Sequence, residues 1–188
     1  MTDFDIVVPA AGASSRMGQW KLLLPWKGTT VIETVVKSAL DAGPRVFLVT
    51  GFRGGELADR FADEPRVVCV PNPQWETGKT GSIATGAVRV ETERFFVTLA
   101  DMPLVGPGLY ETVAAATHGA LACRPLFQGR LGHPVLFHKS VVPLITALGP
   151  HGSLRELFFR LEPKGVEVDD PDCLEDLDTP EDWDRLQK

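Results

Sequence analysis

Directly after an apolar run from Phe4 to Val8, the chain reads PAAGASSRMGQWKLLLPW, Pro9 to Trp26. Ala10, Ala11, Gly12 and Ala13 are small, so their backbone amides can approach a bound molecule closely. Ser14 and Ser15 add hydroxyls, and Arg16 and Lys21 add two cations five residues apart. Gly18 permits a bend that turns both cations toward one anion. Amides, hydroxyls and a cation pair after a buried strand make a cradle for a polyphosphate. The plainer reading is a solvated turn with two surface bases. A second stretch, TLADMPLV (Thr98 to Val105), puts Asp101 after another apolar run and just ahead of Pro103. A carboxylate presented there suits a hard cation, or merely caps the next helix. The third stretch is LEDLDTPEDW, Leu174 to Trp183. Thr179 and Pro180 read as a helix start with Glu181 and Asp182 in its first turn. If Asp178 folds back to the Asp101 edge, the two carboxylates can share one divalent cation; otherwise the tail is a solvated acidic helix.

Such stretches act together only if the fold gathers them. Short β-rich apolar runs alternate with helical patterns: strands at Phe4 to Val8, Arg45 to Thr50, Arg66 to Val70 and Arg94 to Ala100. Between them, TVIETVVKSALDAG, GELADRFAD and a segment from about Gly81 to Val90 read as helices. Strands that are apolar throughout indicate a parallel sheet covered on both faces. Beyond Pro107 the pattern loosens into two strands around Gly129, helices near Ser140 to Leu148 and Leu154 to Leu161, and a short GVEV strand. The expectation is a single three-layer α/β domain over residues 1–188, with an antiparallel excursion in its second half. In such sheets ligands collect at the carboxyl ends of the strands, near a topological switch point. That rule selects the loop after the first strand and the loop holding Asp101. Two familiar nucleotide loops are excluded. Gly12 and Gly18 have the wrong interval for a dinucleotide fingerprint, and Gly78-Lys79-Thr80 lacks the upstream glycine of a P-loop, with Pro73 in its place.

The formal charge is −6, which argues against a sequence-independent nucleic-acid grip. The excess is local: from Glu162 onward there are 11 acidic and 3 basic residues, leaving the body mildly basic. Three widely spaced cysteines fit neither a closed disulfide framework nor a metal site, and the expected compartment is the reducing cytoplasm. Asp3 and Asp5 stand where a secretory signal would carry bases, and no apolar run is long enough to span a bilayer.

The string AAGASSRMGQWKLLLPWKG, followed in order by LADMP, GHPVLF and LDTPEDW, resembles the MobA-like NTP transferase family. These are the nucleotidyltransferases of molybdenum cofactor biosynthesis, and the cytidylyltransferase branch is the nearer one. The resemblance covers essentially the whole chain. It implies a three-layer, Rossmann-like α/β/α fold of the nucleotide-diphospho-sugar transferase type, with a signature half over about 1–105 and an acceptor-side half over about 106–188. Residue by residue, it implies nucleotide contacts at Ala10, Ala11 and Gly12, with Gly81 and Ser82 helping to seat the base. Arg16 and Lys21 would meet the triphosphate, Asp101 would bind Mg²⁺, and Asp178 would be a second metal ligand. Arg16, Lys21 and Asp101 would then carry catalysis. Ala11, where guanylyl-transferring relatives tend to carry glycine, leans toward CTP over GTP. The implied acceptor is the terminal phosphate of molybdopterin, with a molybdoenzyme as the possible client; the alternatives are another small phosphate acceptor or a non-catalytic assembly factor. His133 is read as an acceptor-side contact, since an attacking phosphate needs no base. Three departures stand out. Pro9 replaces an aliphatic residue, Lys79 adds a cation near the presumed triphosphate, and Gly149 to Phe159 lacks an acid common there.

Overall fold

The computed structural model describes residues 4–14, 18–116, 119–149 and 151–187. Apolar strand β1 (Asp5–Pro9) runs up the centre of the sheet. A two-residue hairpin, β2 (Pro25–Trp26) with β3 (Thr29–Thr30), then leads into α1 (Val31–Ala42). Helix α1 starts on a capping box, Thr30 and Glu33 each bonding the other's backbone N–H. Next come β4 (Val46–Thr50), α2 (Gly54–Arg60), β5 (Val67–Pro71), α3 (Lys79–Ala87) and β6 (Arg94–Val97). The second half contributes α4 (Pro107–Ala115), β7 (Ala122–Phe127), β8 (Arg130–Leu131) and β9 (Val135–His138). It closes with α5 (Val142–Ala147), α6 (Leu154–Leu161), β10 (Lys164–Glu167) and α7 (Pro180–Leu186).

The strand order is β10-β7-β9-β6-β1-β4-β5, with β8 paired to β7. β1, β4, β5 and β6 are mutually parallel, while β9 lies antiparallel to both β6 and β7. This is the expected mostly parallel sheet with its antiparallel excursion. From β1 the chain builds outward to β4 on one side and later returns to β6 on the other. The carboxyl ends of β1 and β6 therefore flank the switch point.

Each face of the sheet carries its own core. On one face Ile6, Val8, Leu48 and Phe96 pack against Ile32, Val35 and Val36 of α1 and against Leu109 and Tyr110 of α4. On the other, Val7, Val49 and Phe95 pack against Ile83 and Ala87 of α3 and Ile145 of α5. A satellite cluster of Trp26, Val31 and Leu177 fastens the acidic tail to the hairpin, with Trp183 edge-on to Trp26 at 5.7 Å.

Several element boundaries differ from expectation by one to three residues. β6 ends at Val97, three residues early: Thr98 N–H still bonds Val7 C=O, but Leu99 and Ala100 leave the ladder and line the cleft. α3 begins at Lys79, two residues early. Helix α4 is not among the expected helices: its apolar periodicity is weak, although Pro107 stands in its first turn.

Candidate active site

The loop after β1 is pinned from behind. Ala10 N–H extends the β1–β4 ladder by donating to Val49 C=O at 2.8 Å, and Phe52 N–H donates to Ala11 C=O at 3.0 Å. The Trp20 indole N–H donates to Gly12 C=O at 3.2 Å. Trp20 is thus a buried prop for the loop, its edge on Phe52, whose ring in turn meets Trp75. With its carbonyls bonded inward, the loop from Pro9 to Ser14 lines a cleft of about 320 Å³. Gly18 takes the left-handed backbone (φ +66°) that the expected bend requires. Ser15 and Arg16 lie outside the described residues.

At one end of the cleft Lys21 joins the two remote acids. Its ammonium donates to Asp101 Oδ2 at 2.7 Å and to Asp178 Oδ1 at 2.8 Å. Burial pulls the Lys21 pKa down, but the charge of Asp101 and the bonds to both carboxylates more than reverse that, so the ammonium is held above its usual range. The other oxygen of Asp101, Oδ1, is buried without a hydrogen-bond partner. A buried, unpartnered carboxylate oxygen on a residue that shares a lysine with a second carboxylate suits a hard divalent cation. Among the described residues no group of three or more His, Cys, Asp or Glu could hold a metal ion. An ion held by this pair would fill its shell with water and phosphate oxygens, as Mg²⁺ does.

Asp178 reaches the site because the tail is bolted to it. Leu177 N–H donates to Asp101 C=O at 2.9 Å, and His133 N–H donates to Cys173 C=O at 2.8 Å. Gly132 makes the second contact possible: a Cβ there would lie 2.3 Å from the Cys173 carbonyl oxygen. Asp178 is followed by Thr179, which caps α7 in a second capping box with Asp182. Asp176 sits beside this cluster; burial and the charges of Asp178 and Asp101 push its carboxyl up.

The opposite wall comes from the start of α3, where Gly78, Lys79 and Ser82 line the cleft below Trp75 and Glu76. The Ser82 hydroxyl accepts from the buried Asn72 amide at 3.0 Å, which fixes its rotamer. Gly81 lies in the same turn without being one of the lining residues. His133 is half-buried, and burial together with the positive charges of Arg124 and Lys79 brings its imidazole down to about 3. It is therefore neutral at working pH, within the electrostatic reach of Asp101. The cleft thus gathers Ala10, Ala11, Gly12, Lys21, Ser82, Asp101 and Asp178. Glu76 and Asn72 are the residues the sequence reading missed. Pro71-Asn72-Pro73 reads as a strand breaker, and only the position just past a parallel strand hints that Asn72 works for the site.

A family model described as the MobA-like NTP transferase domain matches residues 6–164. The chain belongs to the MobA-like NTP transferase family. It is a nucleotidyltransferase. The molybdenum cofactor cytidylyltransferase of Escherichia coli K12 is 33% identical over 97% of this chain and 95% of its own length. A probable molybdenum cofactor guanylyltransferase of Bacillus cereus B4264 is 26% identical, covering 100% of this chain and 98% of the relative. Among solved structures, Rv0371C of Mycobacterium tuberculosis H37Rv in complex with manganese superposes with a TM-score of 0.77 at 26% identity. That alignment covers 100% of this chain and 98% of the neighbour.

Proposed function

We propose that this member of the family moves CMP from CTP onto the terminal phosphate of a molybdopterin-type acceptor, with Mg²⁺ as cofactor. An acceptor phosphate oxygen forms a bond to the α-phosphorus. The bond from that phosphorus to the bridging α–β oxygen breaks, and pyrophosphate leaves with the electron pair. The nucleophile is already an anion, so no side chain has to remove a proton; the protein aligns the reactants and balances their charge. The single observation that carries this reading is the meeting of Asp101 and Asp178 on Lys21, beside the small-residue loop, with Asp101 Oδ1 left open. Asp101 and Asp178 would hold the Mg²⁺, which supplies charge neutralisation at the α-phosphate. Ala10, Ala11 and Gly12 admit the nucleotide, Lys21 and Arg16 accompany the triphosphate, and Gly81 and Ser82 position the base from α3.

CTP is favoured over GTP by Ala11, and the 33% identity to a cytidylyltransferase supports the same choice. The protein would work as one domain in the cytoplasm and pass its product to a molybdoenzyme client. Consistent with that location, its cysteines are unpaired and no described helix is long and apolar enough to cross a membrane. The test is a transfer assay with each of the four NTPs, with and without molybdenum cofactor and Mg²⁺. CTP- and Mg²⁺-dependent release of pyrophosphate is expected. Asp101→Ala and Lys21→Ala should fold normally and lose about 10²–10³ in turnover. Preference for GTP, or turnover unchanged in EDTA, would overturn the assignment.

A further inference from the structure

The reading above gives the cleft a place for the triphosphate and leaves the incoming phosphate without one. Two cations of described position line the cleft, and they arise from opposite faces of the sheet. Lys21 stands beside Leu22 and Trp20, which pack with α1 on one face. Lys79 opens α3, whose Ile83 and Ala87 pack on the other. Their surroundings differ as well. Lys21 is buried between two carboxylates. The Lys79 ammonium is exposed to the cleft and, among the described residues, has neither a hydrogen-bond nor an ion-pair partner. Glu76, three residues before it, also lines the cleft but makes no bond to it.

In-line displacement at phosphorus puts the entering and leaving oxygens on opposite sides of the reacting atom. Cations on opposite walls match that geometry: one beside the leaving group, one beside the nucleophile.

We infer that Lys79 binds the terminal phosphate of the acceptor on the wall opposite Lys21. This rests on the nucleotidyl-transfer reading and replaces the sequence expectation that Lys79 serves the triphosphate. An exposed ammonium facing a phosphate dianion acts mainly on acceptor binding, because that contact exists before and during transfer.

The experiment compares wild type with Lys79→Gln and Lys79→Arg in two measurements. In steady-state transfer with molybdenum cofactor as acceptor, Lys79→Gln should raise the acceptor KM about tenfold or more, leave the KM for CTP within about twofold, and be largely rescued by Lys79→Arg. In calorimetry, inorganic phosphate titrated into the Mg²⁺–CTP complex should bind wild type and not Lys79→Gln. A rise in the KM for CTP with the acceptor KM unmoved would overturn the inference and return Lys79 to the triphosphate. Equal phosphate binding by wild type and Lys79→Gln would also overturn it. If wild type fails to transfer CMP at all, the functional reading falls, while the phosphate titration still decides the role of Lys79.

Discussion

Two buried aspartates separate structural from functional carboxylates in this chain. Asp5, wholly inaccessible, accepts from the Arg45 guanidinium with both oxygens and from the backbone N–H groups of Glu91 and Thr92. Its hydrogen-bonding capacity serves the fold. Asp101 is nearly as deeply placed but spends one oxygen on Lys21 and leaves the other open. An unsatisfied buried carboxylate oxygen is costly, and a ligand offsets that cost. The residue scale also carries a pH prediction. The folded chain resists protonation of His133 until about pH 3, whereas the unfolded chain takes up that proton near 6.5. The stabilisation is complete above pH 6.5 and declines as pH falls toward 3, by at most about 1.4 kcal/mol per unit. Urea denaturation at about pH 7 and about pH 5.5 should show wild type losing about 1 kcal/mol more than His133→Gln. Equal losses would mean that the imidazole titrates normally in the native state.

At the scale of elements, the site depends on short contacts between segments distant in sequence. The Gly132–Cys173 approach is the tightest of these: Gly132→Ala would force a methyl group into a backbone carbonyl that has no rotamer by which to yield. We expect a loss of about 1–3 kcal/mol in stability and faster proteolysis of the tail. Turnover should drop as Asp178 loses its place, while far-ultraviolet circular dichroism changes little and fluorescence reports only the tryptophans of the tail cluster, Trp26 and Trp183. A Gly132→Ala protein with wild-type turnover would show that the tail position is not needed for catalysis. The first-half strands were legible because parallel strands buried on both faces read as unbroken apolar runs, as in IVV and VFLV. The end of β6 was not, because Leu99 and Ala100 are as apolar as a strand and are buried in the core beside the cleft after they have left the ladder. Asp101 and Asp178 could be nominated from sequence, yet their meeting could not. It rests on a backbone bond from Leu177 and a satellite core around Trp26 and Trp183, neither of which leaves a periodic pattern.

For the molecule as a whole, the sheet separates support from chemistry. The Asp5–Arg45–Glu91 cluster fastens the amino end of β1, and the cleft occupies the carboxyl end, between β1 and β6. Ligand binding should therefore stabilise the entire cooperative unit. With Mg²⁺ and CTP at about 100 times Kd, the expected gain is about 2.7 kcal/mol, or about 5–10 °C in Tm. Calorimetric scanning should show this shift for wild type and little of it for Asp101→Ala. A shift of the same size in both proteins would place the metal elsewhere. The Leu177 bond has one more consequence. Because a backbone N–H makes that link, it fixes the spacing of this stretch in addition to what the side chains of Leu177 and Asp178 require. One extra residue between Leu177 and Asp178 would displace the carboxylate by about 3.5 Å, farther than the 2.8 Å of its bond to Lys21. Leu177 would stay seated in the tail cluster, so the chain could pass a test of folding and fail one of turnover. In this stretch natural variation should be intolerant of insertions and deletions, whatever it allows at positions other than Leu177 and Asp178.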